Sequence, residues 1–586
     1  MAMDPHPPSP SPQGREAVAF QKAAVARLKR EIVGVDRNNR RRYIREFHDE
    51  FRSFLAVSSR DDLIIDCYKA DIIYLGDYHA LPASQRFASE MLAEIATRAQ
   101  ETILCLEMVY GRDQANLDRY MSGGISEAEF VKAIRYQAEW GYDWASFRPL
   151  FETARAHAVS VFGVDSGPRT GFRHIRQRDA YAAARIADLA ARHPNARIVV
   201  VIGESHLARN HLPRKVTDHL KGQGLEKRGV IVLQNLEEVY WQLAERGLEQ
   251  VDVVSLGPGR YCCFNTSPLA KYEAYRRTLE VWKGEEEDES QVDLTSTVHG
   301  MIDAILKFLR VDKYSHRLRR RAGGGEFMVD VYPEIYSGID EKDLRRLLKT
   351  HQFSPEEMDQ VAGHLDRSGS CYIPRINAIF IGRLNMVHAG EEAAHFVNLA
   401  LKGEIYDDAP REMPQHDLFY SGVLEEALGF FGSKLIDPSR NHFFETEFYQ
   451  YYRKERAEIE ANTPYSYEDF NAIIHFILLH KTFEQNYARY QEVPPEILEG
   501  IRAAPRRANI LIHELGYFLG QQLYDAYKAG TLDRREIARL FRLSFRASGS
   551  ALQTYLDLTE RVGSPAPEAP PAPTAPSAEP GGRAQG

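Results

Sequence analysis

Cysteine is scarce in this chain, which excludes a fold stabilised by a network of disulfides. The 586 residues contain five cysteines, none of them in Cys-x-x-Cys spacing: Cys67, Cys105, Cys262, Cys263 and Cys371. A disulfide framework needs regularly spaced, paired cysteines and an oxidising compartment. We therefore expect free, packed thiols and a reducing environment.

Long apolar runs and an excess of positive charge are also missing. No stretch reaches the roughly 18 consecutive apolar residues of a spanning helix, which predicts no membrane span. The Pro/Ser-rich start shows neither a secretory signal nor a lipobox, so we expect a cytoplasmic protein. The net charge of -9 argues against nucleic-acid binding. P-loop, Rossmann glycine and Gly-x-Ser-x-Gly motifs are absent as well, which weakens nucleotide and serine-hydrolase interpretations.

Two Gly-carboxylate-x-His tetrapeptides stand out against these absences. Gly76-Asp77-Tyr78-His79 and Gly203-Glu204-Ser205-His206 each follow an apolar run rich in β-branched residues, at 71–75 and 197–202. Such runs predict buried strands, and glycine permits a sharp turn at a strand end. Because ligands bind outside the carboxyl ends of parallel strands, both tetrapeptides are expected to meet in one crevice.

Alternation of strand and helix patterns between about 60 and 265 predicts an α/β domain with a mainly parallel sheet. Beyond residue 326, long amphipathic segments predict a separate, mostly α-helical domain. The predicted organisation is disordered 1–14, an α/β domain with an N-terminal helix over 15–283, a charged linker region over 284–325, a helical domain over 326–562, and a disordered Pro/Ala tail over 563–586.

Carboxylates follow or end four successive predicted strands: Asp77, Glu107, Asp165 and Glu204. Together with His79 and His206 they support two kinds of chemistry. Imidazole and carboxylate ligands hold a divalent metal with an open position for water. Alternatively, a histidine oriented by a carboxylate acts as a general base without metal.

The order of several short motifs resembles a known family over about residues 60 to 265. The pieces are Gly-Asp-Tyr-His at 76–79, Leu-Glu-Met at 106–108, Asp113-Gln114 before Leu117-Asp118-Arg119-Tyr120, Trp140 with Trp144-Ala-Ser-Phe-Arg-Pro-Leu150, Asp165-Ser-Gly-Pro-Arg169, and Gly-Glu-Ser-His at 203–206. This region is similar to the ChaN-like haem-binding uptake domain of the Tiki and erythromycin-esterase-like superfamily. The resemblance implies an α/β fold whose Gly-x-x-His histidines and Glu107 line one cleft.

The resemblance implies a ligand as well. The leading interpretation is a protein that binds haem or an iron-type metal, with Asp77, His79, Glu107 and His206 as the metal group. Tyr78 and Tyr110 are candidate haem ligands by their chemistry, and Arg148 and Arg169 are candidates for contacting a carboxylate or propionate.

The alternative interpretation is a hydrolase, either dependent on Mn, Co or Zn as in the Tiki branch or metal-free as in erythromycin esterases. In this hydrolase, His79 or a bound metal activates water, and Glu107 and Glu204 orient the water or accept protons. His206 completes the group of residues around the metal or water. A third interpretation is a scaffold whose helical half binds a protein partner. The sequence leaves open whether the protein is an enzyme or a binding protein, which substrate or metal it takes, and which oligomeric state it has.

Two further patterns are weaker signals. In the helical half, His388, Glu391 or Glu392, and His395 share a helix face, and Glu-x-x-His is the spacing used in di-iron bundles. Glu425-Glu426 and His513-Glu514 are candidates for the further ligands of such a bundle, but an ordinary polar face is favoured. Trp140 and Trp144 are four residues apart, which predicts a shared helix face, and core packing is favoured over stacking against a ligand.

Overall fold

The computed structural model describes residues 11–35, 42–169, 174–283, 292–314, 318–319, 325–382, 384–405, 413–438, 440, 454–463, 465–487, 493–502, 505–545 and 547–563. The acidic run 284–290 and the tail from 564 lie outside these ranges, as do residues 1–10. The chain divides into two compact units. One comprises 1–410, 428–443 and 527–544, and the other comprises 411–427, 444–526 and 545–586.

The strands are β1 Ala56–Ser58, β2 Ile72–Asp77, β3 Thr102–Tyr110, β4 Ser160–Asp165, β5 Arg197–Gly203, β6 Gly229–Gln234, β7 Val253–Gly257, β8 Arg260–Cys263, β9 Leu318–Arg319, β10 Gly325–Glu326, β11 Glu334–Ser337, β12 Ser370–Ile373 and β13 Ala378–Ile381.

The helices up to the end of the α/β region are α1 Pro12–Val35, α2 Arg42–Glu50, α3 Arg60–Lys69, α4 Pro82–Arg98, α5 Gln114–Met121, α6 Glu127–Ala133, α7 Tyr136–Glu139, α8 Trp144–Ala156, α9 Ile175–Arg192, α10 Leu212–Gly222, α11 Glu237–Ala244 and α12 Pro268–Lys283. The later helices are α13 Thr295–Phe308, α14 Glu341–Thr350, α15 Pro355–Ser368, α16 Met386–Lys402, α17 Gln415–Ile436, α18 Arg456–Asn462, α19 Tyr467–Gln485, α20 Pro495–Arg502, α21 Pro505–Ala529, α22 Arg534–Leu540 and α23 Ser550–Val562. Short 3-10 turns lie at Gly111–Asp113, Glu204–Leu207, Met328–Val331 and Pro374–Ile376.

Eight strands form the central sheet, in the order β1-β7-β8-β6-β2-β5-β3-β4. The six strands from β8 to β4 are parallel to one another, while β7 is antiparallel to β8 and β1 to β7. The predicted fold class is confirmed: an α/β region with a mainly parallel sheet, followed by a mostly helical region. The sequence patterns missed β1 and β8, which are the two shortest strands of this sheet.

Apolar side chains cover both faces of this sheet, as a parallel sheet between helices requires. Along β2, Ile73 and Leu75 pack on one face with α4 and α8, and Ile72 and Tyr74 pack on the other with α9 and α10. Successive strand residues point to opposite faces. The two apolar layers therefore shield the strands, and polar groups are concentrated at the strand ends.

Several predicted boundaries differ from the structure. Residues 12–14, predicted as disordered, begin helix α1. The predicted linker region contains α13, which buries apolar side chains such as Val298 and Ile302, because the apolar pattern of 295–308 is helical although its flanks are charged. The helical region also opens with a small sheet in the order β11-β13-β12.

The two tryptophans do not share a helix. Trp140 follows the last residue of α7, and Trp144 begins α8. Between them Gly141 adopts φ +77°, a left-handed conformation that ends the first helix. No helix in the described ranges is both long enough and apolar enough to cross a membrane.

Candidate functional site

Three neighbouring strands bring the predicted residues together at one edge of the sheet. Strand β5 lies between β2 and β3, so its carboxyl end is flanked by both. His79 follows β2, Glu107 lies near the end of β3, and His206 follows β5. The two Gly-carboxylate-x-His segments therefore converge because of strand order, although their starting positions, 76 and 203, are 127 residues apart.

The glycine of the second segment is needed for space. Gly203 has φ −50°, which any residue adopts, so the backbone turn does not require glycine. A Cβ at this position would lie 3.1 Å from Nε2 of His79 and 3.3 Å from Oε2 of Glu107. Glycine thus lets strand β5 approach both side chains closely.

His79 is held by a carboxylate on one side and faces Glu107 on the other. Its Nδ1 lies 2.7 Å from Oδ2 of Asp77, and its Nε2 lies 3.6 Å from Oε2 of Glu107. The buried Asp77 is fixed in turn by Gln85, whose amide donates to Oδ1 at 2.5 Å. Burial alone would lower the pKa of His79, but the hydrogen bond and charge of Asp77 and the charge of Glu107 raise it above the usual value.

His206 has a similar arrangement around its ring. Its Nδ1 lies 2.6 Å from Oδ1 of Asp179, and its Nε2 lies 3.4 Å from Oε1 of Glu107. The hydroxyl of Tyr43 donates to Asp179 at 2.9 Å, and the ammonium of Lys215 lies 3.3 Å from the same carboxylate. Burial lowers the pKa of His206, but the charge of Glu107 and the hydrogen bond with Asp179 dominate and raise it to about 9.

Glu107 is the shared partner of both histidines and is itself saturated by donors. The Gly203 N–H donates to its Oε2 at 2.6 Å, and the guanidinium of Arg178 donates to its Oε1. Burial would raise the pKa of Glu107, but the charge and hydrogen bond of His206, with the charges of His79 and Arg178, hold it well below the usual value. Glu107 is therefore a carboxylate at neutral pH.

A second carboxylate, that of Asp165, holds Arg178 in place next to Glu107. Asp165, at the end of β4, accepts hydrogen bonds from Arg178 at 2.8 Å and from Arg169 at 2.7 Å. Arg169 also donates to the backbone carbonyl of Glu107 at 2.6 Å. The opposite charges alternate through the site, which offsets the cost of burying them.

A small cavity lies beside the Asp77–His79 pair. Its volume is about 10 Å³, and its lining residues are Asp77, His79, Leu106, Glu107, Met108, Trp140, Phe147 and Val201. Pockets for drug-sized ligands are on the order of 300–1,000 Å³, whereas about 10–15 Å³ holds one water. The cavity therefore has room for about one water, and it does not enclose a porphyrin.

Several predicted residues lie away from the cavity lining. Glu204 pairs with Lys271, whose ammonium lies 3.1 Å from its carboxylate and 4.3 Å from the ring centre of Tyr78. Arg148 pairs with Glu127 at 2.8 Å. Tyr110 donates its hydroxyl to Glu139 at 2.9 Å, and the guanidinium of Arg169 lies 3.9 Å from the ring centre of Tyr110.

The residues of the second predicted site contact different neighbours. Glu392 accepts a hydrogen bond from the Tyr372 N–H of β12 at 2.9 Å. The ring of His395 lies on the α17 side, where a Cβ at Gly429 would come within 2.5 Å of it. His388 lies 3.4 Å from Glu391, the alternative carboxylate of the prediction, and a ligand atom of Glu391 lies within 4.8 Å of one of His395. The di-iron interpretation stays a prediction.

Sequence reasoning missed the groups that orient the histidines. Asp179 and Gln85 are fully buried in α9 and α4, although both are polar. Each lies on an apolar helix stripe, for example Asp179 among Ile175, Ala182 and Ile186. A polar residue on a buried stripe is the signal that indicates such positioning groups.

The predicted metal set does not fit a divalent ion in this geometry. Both oxygens of Glu107 accept from protein donors, one of them a cationic guanidinium, and both oxygens of Asp77 are hydrogen-bonded. Within the described part of the chain, no three of the side chains Asp77, His79, Glu107 and His206 bring ligand atoms within 4.8 Å of one another. A metal would have to displace these donors.

The fold and the site define an α/β protein with paired His–carboxylate groups at the carboxyl edge of its sheet. Residues 63–177 match the family described as haem-binding uptake, Tiki superfamily, ChaN, which confirms the predicted resemblance over that segment. No curated protein matches the chain.

Two solved structures are among those similar to the chain. One is described as "Cofacial heme binding to ChaN of Campylobacter jejuni"; the identity is 15%, the match covers 30% of this chain and 86% of that one, and the TM-score is 0.24. The other is described as "The structure of the type III effector HopBA1"; the identity is 16%, the match covers 32% of this chain and 87% of that one, and the TM-score is 0.24.

Proposed function

We propose that this chain is a hydrolase of a carboxylic ester or amide, in which the Asp77–His79 pair activates water without a metal. The observation that carries the proposal is the geometry of His79. Its Nδ1 is held by Asp77 at 2.7 Å, while the ring lines the cavity and directs Nε2 towards Glu107. This is the arrangement of a general base oriented by a carboxylate.

The remaining groups keep this base in place. Glu107, ionised and anchored by Arg178 and Gly203, provides a fixed negative charge near Nε2 of His79. The protonated ring of His206 supports Glu107 from the other side. We assign His79 as the base, and Glu107 and His206 as the groups that fix its surroundings.

The test is hydrolysis of a panel of 4-nitrophenyl esters and anilides by the full chain, with and without a chelator. Removing a general base costs about 10²–10⁴-fold in rate, so we expect His79→Gln to lose that much kcat. His193→Gln is the matched control, because His193 pairs with Glu101 at the opposite edge of the sheet. Unchanged turnover in His79→Gln contradicts the proposal, and loss of turnover with chelator favours the metal-dependent form.

Metal content provides an independent check. The as-purified protein is compared by elemental analysis with a His79→Ala/His206→Ala double variant. The metal-free proposal expects no stoichiometric metal in either. Metal that is bound by the parent and lost in the double variant contradicts it: iron favours an iron-binding protein, and manganese, cobalt or zinc favours a metallohydrolase.

Haem binding is the second candidate, supported by the family description and by a second pocket. This pocket has a volume of about 270 Å³, and its lining residues are Arg60, Leu63, Ala83, Arg86, Phe87, Glu90, Asp252, Val253, Cys263, Phe264 and Asn265. Its arginines suit the propionates of a porphyrin. Within the described residues Arg86 has no ion-pair partner within 4 Å.

Haem titration followed by the Soret band tests this candidate. A charge-assisted hydrogen bond contributes about 1.5–3 kcal/mol, so Arg86→Ala is expected to weaken haem binding by about tenfold or more. Arg98→Ala, in the last turn of the same helix, is the control. A haem spectrum that does not change on adding the protein excludes this candidate.

A further inference from the structure

One buried polar group beside the cavity has no partner. Trp140 is 8% exposed, and its indole Nε1 is buried without a hydrogen-bond partner among the described residues. Leaving a buried donor unpaired costs about 1–3 kcal/mol, and native proteins rarely do so without a reason. A ligand that enters the cavity would supply the missing acceptor.

The position of Trp140 connects this donor to the proposed base. Its ring lines the cavity together with His79, and the two ring centres are 4.5 Å apart. The guanidinium of Arg169 lies 4.6 Å from the ring centre of Trp140, and Phe147 contacts it edge-on at 5.9 Å. The indole is thus enclosed by neighbours and pre-positioned within the site.

We infer that the Trp140 indole N–H is a substrate-positioning donor that binds the carbonyl oxygen of the ester or amide. The inference rests on the proposed function. It specifies that the substrate carries an acyl oxygen that accepts one hydrogen bond from this indole. Donors aimed at the oxygen on which charge develops stabilise the transition state of acyl transfer.

Water attacks the acyl carbon, its proton passes to Nε2 of His79, and the carbonyl electron pair moves onto the oxygen bound by Trp140. When the carbonyl re-forms, the bond to the leaving oxygen or nitrogen breaks, and that atom takes the proton from His79. The products are a carboxylic acid and an alcohol or amine, with His79 regenerated.

The chain offers a closely matched control for this donor. Trp144 also has a buried indole Nε1 without a partner, but it packs against Tyr120, Phe130 and Phe151 and does not line the cavity. Phenylalanine keeps an aromatic ring and removes the N–H at either position. The pair Trp140→Phe and Trp144→Phe therefore separates an effect at the cavity from the general effect of replacing a buried indole by a phenyl ring.

With the best ester of the panel, Trp140→Phe is expected to lower kcat about 10²–10³-fold, with KM changed by less than about threefold because the interaction strengthens as charge develops. Trp144→Phe is expected to leave kcat within about threefold. Equal losses in both variants, or no loss in Trp140→Phe, overturn the inference.

A binding measurement separates this inference from failure of the proposed function. The four tryptophans give four indole ¹H–¹⁵N signals in ¹⁵N-tryptophan-labelled protein, and Trp140→Phe assigns the relevant one. Phenyl methylphosphonate, a stable oxyanion of tetrahedral shape, is the probe. We expect it to shift the Trp140 signal and to leave the Trp144 signal in place, even if no ester is turned over. A Trp140 signal that does not move up to the solubility limit of the probe overturns the inference.

Discussion

The charge on His206 makes the stability of its compact unit, residues 1–410, 428–443 and 527–544, depend on pH in a defined window. Its pKa is raised from 6.5 to about 9 in the folded protein, because the Glu107 charge and the Asp179 hydrogen bond outweigh burial. A group whose folded pKa is raised contributes stability that is fully present below its unfolded pKa. That contribution is lost as pH rises through the folded pKa. The folded state should therefore lose stability between pH 6.5 and about pH 9.

The size of the effect follows from the shift. The difference of 9 − 6.5 is 2.5 pKa units, and each unit corresponds to about 1.4 kcal/mol. The contribution of His206 is therefore about 3 kcal/mol at the acidic end of the window. It is a substantial fraction of the roughly 5–15 kcal/mol by which proteins are stable.

Urea unfolding followed by tryptophan fluorescence measures this contribution, because all four tryptophans belong to this unit: Trp140, Trp144, Trp241 and Trp282. The parent and His206→Gln are compared from about pH 6 to about pH 10. The gap between their unfolding free energies should shrink by about 3 kcal/mol across this range. A gap that stays constant refutes the assigned charge state. His193→Gln, in an exposed ion pair, serves as the control with a small gap throughout.

Three further perturbations test the site. Asp77→Asn removes a carboxylate that raises the pKa of His79. In the parent, the acid limb of the plot of kcat/KM against pH is expected above pH 6.5, and in Asp77→Asn it should move to lower pH. An acid limb that does not move contradicts the assignment of His79 as the base. Arg178→Met leaves the buried carboxylates of Glu107 and Asp165 without this cation and should destabilise the protein by about 3–5 kcal/mol in urea unfolding. Arg178→Lys should give an intermediate loss. A loss below about 1 kcal/mol would show that these carboxylates do not depend on the guanidinium. Gly203→Ala places a methyl group 3.1 Å from Nε2 of His79 and should reduce the rate of ester hydrolysis at least about tenfold. Gly222→Ala is the control, because its added Cβ meets nothing within 4 Å, and this variant should hydrolyse the ester at the parent rate.

The electrostatic design of the site explains why so many charges are buried together. Asp179, Glu107 and Asp165 alternate with His206 and Arg178, so each carboxylate lies against at least one cation. The cost of desolvating each charge is offset by its neighbours, but only when the whole group is assembled. Removing one member is therefore expected to perturb both stability and the proposed chemistry.

The sequence by itself determined the fold class and the main candidates. Apolar runs of β-branched residues alternating with amphipathic stretches carry their periodicity locally, so the parallel sheet could be predicted without tertiary information. His79, Glu107 and His206 were found because each directly follows or ends such a run. The rule that ligands bind at the carboxyl ends of parallel strands then placed them at one edge.

The tertiary structure decided which polar side chains act together. Only the strand order, with β5 between β2 and β3, puts Glu107 within reach of both histidines. Asp179 contacts His206 from α9, the helix that precedes β5, and Glu204 pairs with Lys271 although it is two residues from His206. Such pairings depend on side-chain direction and on contacts between separate elements, which local sequence patterns do not encode.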